Sequence, residues 1–218
     1  MILNQRQVVV HSHERSGTHF LMNTLADNFG YQSNPWLDLS LGENPWSPVL
    51  VAKEFERISR MEDPNKLIKS HYEGTFFGKF KEEIFKYFTF LYIYRNSEDC
   101  LKSCVKHFNN ISWNEGPRVS SVEEMMGVEP SGGCLRYQYK QYPTMCNRQV
   151  GHIQSWKNLP KELSENIVYI RFEDLRDKFD ETVRKIEEKM DRKLLRHMAK
   201  KPDKGRYIQG GAFQEAVV

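Results

Sequence analysis

Apolar residues along this chain fall into short runs of strand or single-helix length, separated by polar stretches. Val8–Val10 is a compact β-branched run, and Tyr87–Tyr94 is dense in aromatic and β-branched residues. Ile167–Phe172 is a run of the same kind, and Lys66–His71 is a shorter one that ends in polar residues. Each predicts a buried strand. Between the first two the spacing changes to a helical period, with Phe20, Leu21, Leu25 and Phe29 on one stripe over Thr18–Phe29. Ser97 predicts an N-cap for a helix to about Phe108, with Glu98 and Asp99 in its first turn. Further helices are expected at Lys53–Arg60, Lys79–Lys86, Val122–Met126, Arg136–Leu159 (interrupted near Pro143) and Leu175–Met190. Tyr31–Pro48 reads as irregular, Asn109–Gly133 as mostly loop, and residues 191–218 show no period.

Short apolar strands alternating with helices predict an α/β fold. One domain over residues 1–218 is expected, with a central parallel sheet flanked by helices. Ligands of such sheets bind beyond the carboxyl ends of the strands. Three polar clusters fall at that edge: His11–His19, Lys69–His71, and the segment from Arg95.

Composition narrows the classes. The chain has 218 residues, 39% hydrophobic and 28% charged, which suits a globular protein with a sizeable core. A net charge of +3 gives no ground for a nucleic-acid partner. No apolar run reaches membrane-spanning length, and Met1–Gln7 does not read as a signal peptide. Membrane insertion is therefore not expected, and a cytoplasmic location is. Cys100, Cys104, Cys134 and Cys146 lack zinc-ribbon spacing and read as reduced thiols. His11 and His13 form an H-x-H without further ligands at recognisable spacing, so no metal is expected.

The strongest candidate chemistry lies in Val8–Leu21, which reads as strand, tight polar loop and helix. Backbone N–H groups at a helix N-terminus favour an anion. Arg15 adds a forked cation suited to phosphate or sulfate. Gly17 permits close backbone approach, and Ser16 and Thr18 add hydroxyls. The loop is P-loop-like but not a Walker A sequence, because Thr18 and not Lys follows Gly17. An ordinary strand-to-helix turn is the bland alternative.

The pattern strand–Arg15-Ser16-Gly17-Thr18–helix resembles the 5′-phosphosulfate loop of sulfotransferases. These enzymes use 3′-phosphoadenosine 5′-phosphosulfate (PAPS). Arg95-Asn96, Asp99 and Ser103 resemble the same family's 3′-phosphate motif, against a structural pairing of Arg95 with Asp99. Lys69-Ser70-His71 resembles its K-x-H, against a surface histidine at a strand end. The resemblance implies that His71 is the general base and that Arg15 and Lys69 stabilise charge on the transferred group. It also implies that Ser16, Gly17 and Thr18 hold the 5′ end of PAPS, and Arg95 and Ser103 its 3′ end.

Looser likenesses extend the implied cofactor site. His19 and Phe20 stand where the family has Thr-Trp; the Phe20 ring either meets adenine or lies in the core. Phe172 stands where Tyr is common and keeps the capacity to stack. Glu173 and Asp174 serve equally as helix caps. Lys204, Gly205 and Arg206 resemble the family's segment that closes over the cofactor, although Asp203 replaces its Arg and Ala212 its Trp. Trp36, Trp46 and Trp113 are candidates for an acceptor pocket or for core cover. No motif names the acceptor, which the resemblance leaves as a small molecule or a glycan. The alternatives are a P-loop-type small-molecule kinase and a nucleotide-binding protein without turnover.

Overall fold

The computed structural model describes residues 7–38, 53, 55–57, 65–78 and 88–203. Five parallel strands form one sheet in the order β2-β3-β1-β4-β5. They are β1 Gln7–Ser12, β2 Gln32–Asp38, β3 Lys66–Ser70, β4 Phe88–Tyr94 and β5 Ile167–Arg171. Helices α1 Thr18–Phe29, α2 Gly74–Phe77, α3 Ser97–Asn110, α4 Val122–Gly127, α5 Met145–Lys157, α6 Lys161–Ser164, α7 Phe172–Asp177 and α8 Phe179–Met190 connect and cover them. Among the described residues no helix is long and apolar enough to cross a membrane.

The central position of β1 explains its composition. It is hydrogen-bonded on both edges, to β3 and β4, and every residue of it is buried. Val8 and Val10 face one layer with Phe20, Leu21, Leu25 and Phe29 of α1 and Val183 and Ile186 of α8. Val9 faces the other layer, with Phe76, Phe77, Phe90, Tyr92 and Trp156. Each large side chain so buried contributes about 1.5–3 kcal/mol. A third cluster joins Leu101, Cys104 and Phe108 of α3 to Met125 and Met145.

Helix α1 spans the residues its apolar stripe predicts. The expected strands at Val8, Lys66, Tyr87 and Ile167 are present with slightly different ends. Four expectations are corrected. Gln32–Asp38 is a strand and not irregular chain; it contains Pro35, which an edge strand tolerates. Asn96, not Ser97, caps α3, its side chain accepting from the N–H groups of Glu98 and Asp99. Arg136–Leu159 divides into a 3-10 turn, Gly132–Tyr137, and α5. Leu175–Met190 belongs to two helices, which break at Lys178. The expected helix Lys79–Lys86 lies outside the described residues.

Candidate anion and catalytic site

β1 ends at Ser12, and the chain turns through His13–Gly17 before entering α1. Arg15 takes a left-handed backbone with φ 64°, as does Gly17 with φ 101°. Such a conformation is uncommon for a residue with a side chain and marks a turn held by its surroundings. The first turn of α1 has neither a side-chain cap nor an acidic residue. Its N–H groups and the positive end of its dipole therefore face the loop, an arrangement suited to an oxyanion.

Two of the motifs are joined by a hydrogen bond. Arg15 Nε donates to Ser103 Oγ over 3.2 Å, from the β1–α1 loop to the middle of α3. Arg95, at the end of β4, lies with its guanidinium 4.7 Å from the centre of the Phe172 ring. The Nε of Arg95 is buried and has no hydrogen-bond partner among the described residues. A buried donor left unpaired is costly, and a phosphate oxygen is the kind of acceptor that would relieve it. The donor set therefore fits an anionic nucleotide.

β3 supplies the third cluster. Lys69 lies beside Val10 in the parallel register and is buried. His71 follows the strand end and is also buried. Its Nδ1 is 2.9 Å from the Ser12 carbonyl oxygen and 3.2 Å from Ser12 Oγ. A carbonyl can only accept, so Nδ1 carries the proton and Nε2 is the unprotonated nitrogen of the neutral ring. Ser12 Oγ also bonds Thr18 Oγ1 at 2.6 Å, tying His71 to the start of α1.

The loop is held from below by a buried ion pair. Arg148 of α5 donates from Nη1 and Nη2 to the two carboxylate oxygens of Glu14, at 3.0 and 2.7 Å. Arg148 also donates to Gln138 Oε1, to the Cys134 carbonyl and to His13 Nε2. His13 is thereby the Nδ1–H tautomer, and that N–H donates to the Glu14 carbonyl at 2.9 Å. The Cys100 thiol donates to the same carbonyl at 3.3 Å. Burial alone would push the Glu14 carboxyl up; the Arg148 guanidinium, by its charge and its hydrogen bonds, pulls it well below the usual carboxylate range. Burial works against the charge on Arg148, and Glu14 more than offsets it.

The structure thus brings Arg15, Ser16, Gly17, Thr18, Lys69, His71, Arg95, Ser103 and Phe172 to one sheet edge. His19 is half-buried on α1. Phe20 takes the core alternative: it is 6% exposed and meets Phe172 edge-on at 5.9 Å. Lys204, Gly205, Arg206 and Trp46 lie outside the described residues. Trp113 is at the surface, donating from Nε1 to Glu115. His11 is fully buried against Phe77, Phe90 and Trp156, with no hydrogen-bond partner on either ring nitrogen among the described residues. Among those residues no three His, Cys, Asp or Glu are grouped to hold a metal.

Sequence reasoning missed Glu14, Arg148 and His107. Arg148 had no signal, because its partner lies 134 residues away. His107, near the end of α3, is held to about 4 by burial first and then by the charge of Arg15, with Lys69 adding to it. Its offset of four from Ser103, one helical turn, was the available clue.

Comparison with known proteins bears on the family and the fold. No curated protein sequence matches the chain. The fold is similar to a mouse sulfotransferase, SULT7A1, solved with PAP (3′-phosphoadenosine 5′-phosphate): TM-score 0.57 and 17% identity, covering 85% of this chain and 59% of that one. It is also similar to retinol dehydratase solved with androsterone and inactive cofactor PAP, with TM-score 0.53, 16% identity, and 89% and 62% of the two chains covered. A second retinol dehydratase structure, with retinol and PAP, gives TM-score 0.54, 15% identity and the same coverage. The chain spans about three fifths of the length of these structures. The family model described as "Sulfotransferase domain" matches residues 5–210, nearly the whole sequence, and the chain belongs to that family.

Proposed function

We propose that the chain transfers a sulfuryl group from PAPS to a hydroxyl or amine of a small-molecule or glycan acceptor, releasing PAP. The observation that carries this reading is the Arg15–Ser103 hydrogen bond, which joins two anion motifs 88 residues apart. PAP in the solved structures of similar fold supports it.

The roles follow from position. The α1 N-terminus with Ser16, Gly17 and Thr18 holds the 5′ end of the nucleotide, and Arg95 with Ser103 holds the 3′-phosphate. His71 Nε2 takes the acceptor proton while the acceptor oxygen or nitrogen bonds to sulfur. The bond from sulfur to the bridging oxygen breaks, and its electron pair leaves on the 5′-phosphate of PAP. Arg15 and Lys69 stabilise the charge that develops on those oxygens. A transferring sulfuryl group carries less charge than a phosphoryl group, so these cations and the helix dipole serve where a kinase uses a divalent ion. Residues 1–218 act as one domain in this reading, in the cytoplasm.

The test is PAP release from PAPS with a phenol, an alcohol, a monosaccharide and an alkylamine as acceptors, in excess EDTA. Turnover is expected with at least one, and His71→Ala should slow it by about 10²–10⁴-fold with PAP affinity retained. Magnesium-dependent ATP turnover with no transfer from PAPS would replace this reading with that of a kinase. PAP binding without any transfer would leave a nucleotide-binding protein.

A further inference from the structure

Helix α5 covers one face of the sheet, where apolar side chains would be expected. Yet Arg148, Gln149 and His152 on it are each at most 1% exposed. Burying such groups is costly unless every polar atom is bonded. With Ser155 and Trp156 they fall at successive offsets of one, three, three and one residues, which places all five on one helical face.

What they bond to is the informative part. Arg148 holds the Glu14 carboxylate, next to Arg15 in the anion loop. Gln149 Nε2 donates to the carbonyl of Arg95 at 3.1 Å, while its Oε1 accepts from Ser97 Oγ at 2.6 Å. His152 Nε2 donates to the carbonyl of His71 at 3.0 Å, while its Nδ1 accepts from Tyr92 OH at 2.9 Å. Trp156 Nε1 donates to the Tyr72 carbonyl, and Ser155 Oγ accepts from the N–H of Gly74. One rigid helix thus grips the chain at the ends of β1, β3 and β4, at or beside the residue that each strand end contributes to the site.

We propose that α5 is a positioning strut, with Arg148, Gln149 and His152 setting the 5′ loop, the 3′-phosphate arginine and the base in register; this rests on the reading of the preceding section. The three act through other residues, so each should affect a different property. A carbonyl fixed within hydrogen-bond reach fixes the direction in which its side chain leaves the backbone. Loss of the Gln149 bond therefore loosens Arg95 alone, and loss of the His152 bond loosens His71 alone.

The experiment measures PAP and 5′-AMP affinity by calorimetry, turnover of PAPS with an active acceptor of the panel above, and Tm. In Gln149→Leu the preference for PAP over 5′-AMP should fall about tenfold, with 5′-AMP affinity nearly unchanged. In His152→Leu turnover should fall about tenfold with both affinities nearly unchanged, and His152→Gln, which keeps an N–H donor, should recover it. Should Gln149→Leu not fold, Ser97→Ala removes the second anchor of the same amide, and the PAP to 5′-AMP ratio should still fall. If the variants lower all three readouts together, or none, α5 is ordinary packing and the strut is wrong. If the wild type itself binds PAP and 5′-AMP equally, the preceding reading fails and the strut falls with it. If the wild type discriminates, Arg95→Ala abolishes the preference and Gln149→Leu leaves it intact, only the strut falls.

Discussion

The Phe172 ring lies directly over Gly17: a Cβ at that glycine would sit 2.3 Å from Phe172 Cδ2. Gly17 is therefore required twice, by its φ of 101° and by the ring packed on it. The left-handed backbone costs a residue with a side chain about 1–2 kcal/mol. Forcing a methyl into a packed contact adds about 1–3 kcal/mol. Gly17→Ala should lower the urea midpoint accordingly at unchanged m, and Phe172→Ala in the same chain should give back the packing part. A loss below about 0.5 kcal/mol would show that the ring swings away freely.

Ser103 should matter to the nucleotide more than to the fold. It is half-buried on α3, and its hydroxyl accepts from Arg15 Nε. Hydrogen bonds to charged groups contribute about 1.5–3 kcal/mol. Ser103→Ala should weaken PAP binding about tenfold or more and 5′-AMP binding much less, as read by calorimetry. Equal weakening of both would move Ser103 from the 3′ end to the 5′ end of the ligand.

The Glu14–Arg148 pair should behave as a buried ion pair. Removing one partner, by Glu14→Gln or Arg148→Met, should cost about 3–5 kcal/mol. Replacing both with Met should recover a large part of that loss, because an apolar pair leaves no charge uncompensated. The sign with pH follows from the depressed Glu14 carboxyl. Its contribution is full above the ordinary carboxylate value of about 4.3 and is lost as pH falls from there toward the lower native value. Glu14→Gln should flatten the acid limb of stability; an unchanged limb would show that the pair does not carry it.

His11 gives a second, higher pH window. Burial first, then His152 and His71, hold its pKa far below the ordinary value of about 6.5. The native state refuses a proton that the unfolded chain accepts. Stability is therefore full above about pH 6.5 and falls below it, by about 1.4 kcal/mol per pH unit for this one group. His11→Phe should remove that part of the slope. It should also be neutral or stabilising at pH 7, since both ring nitrogens lack partners among the described residues and the ring already sits against Phe77, Phe90 and Trp156. A steeper slope in the variant would reverse the assignment.

How far the sequence carries depends on the range of each interaction. Helix α1 was legible because its apolar stripe is local. β1, β4 and β5 were legible because a parallel strand buried on both faces reads as a largely apolar run, and β3 because its Leu67-Ile68 pair leads into a polar strand end. β2 was not: among the described residues it pairs only with β3, its register shifts between Gln32 and Leu37, and Pro35 within it reads as a breaker. The cap of α3 was misplaced by one residue because Asn96 and Ser97 are both competent, and only the bonds to Glu98 and Asp99 decide. The chemistry-bearing residues of the site lie in short motifs and could be read. The residues that hold them, Arg148, Gln149 and His152, lie on a helix whose sequence carries no motif, and their partners are 134, 54 and 81 residues away.

Those separations have a consequence for how the protein is made. The anion loop leaves the ribosome 134 residues ahead of Arg148. Until then Glu14 has no buried counter-charge, and β1 cannot complete either of its two edges before β3 and β4 emerge. Synthesis at about 5–20 residues per second leaves that gap open for about seven to thirty seconds. During this interval the nascent loop is a solvated segment without the partners that shape it. Completion of the site is therefore tied to the arrival of α5, and chains that stop short of Arg148 should be handled by the cell as unfolded protein.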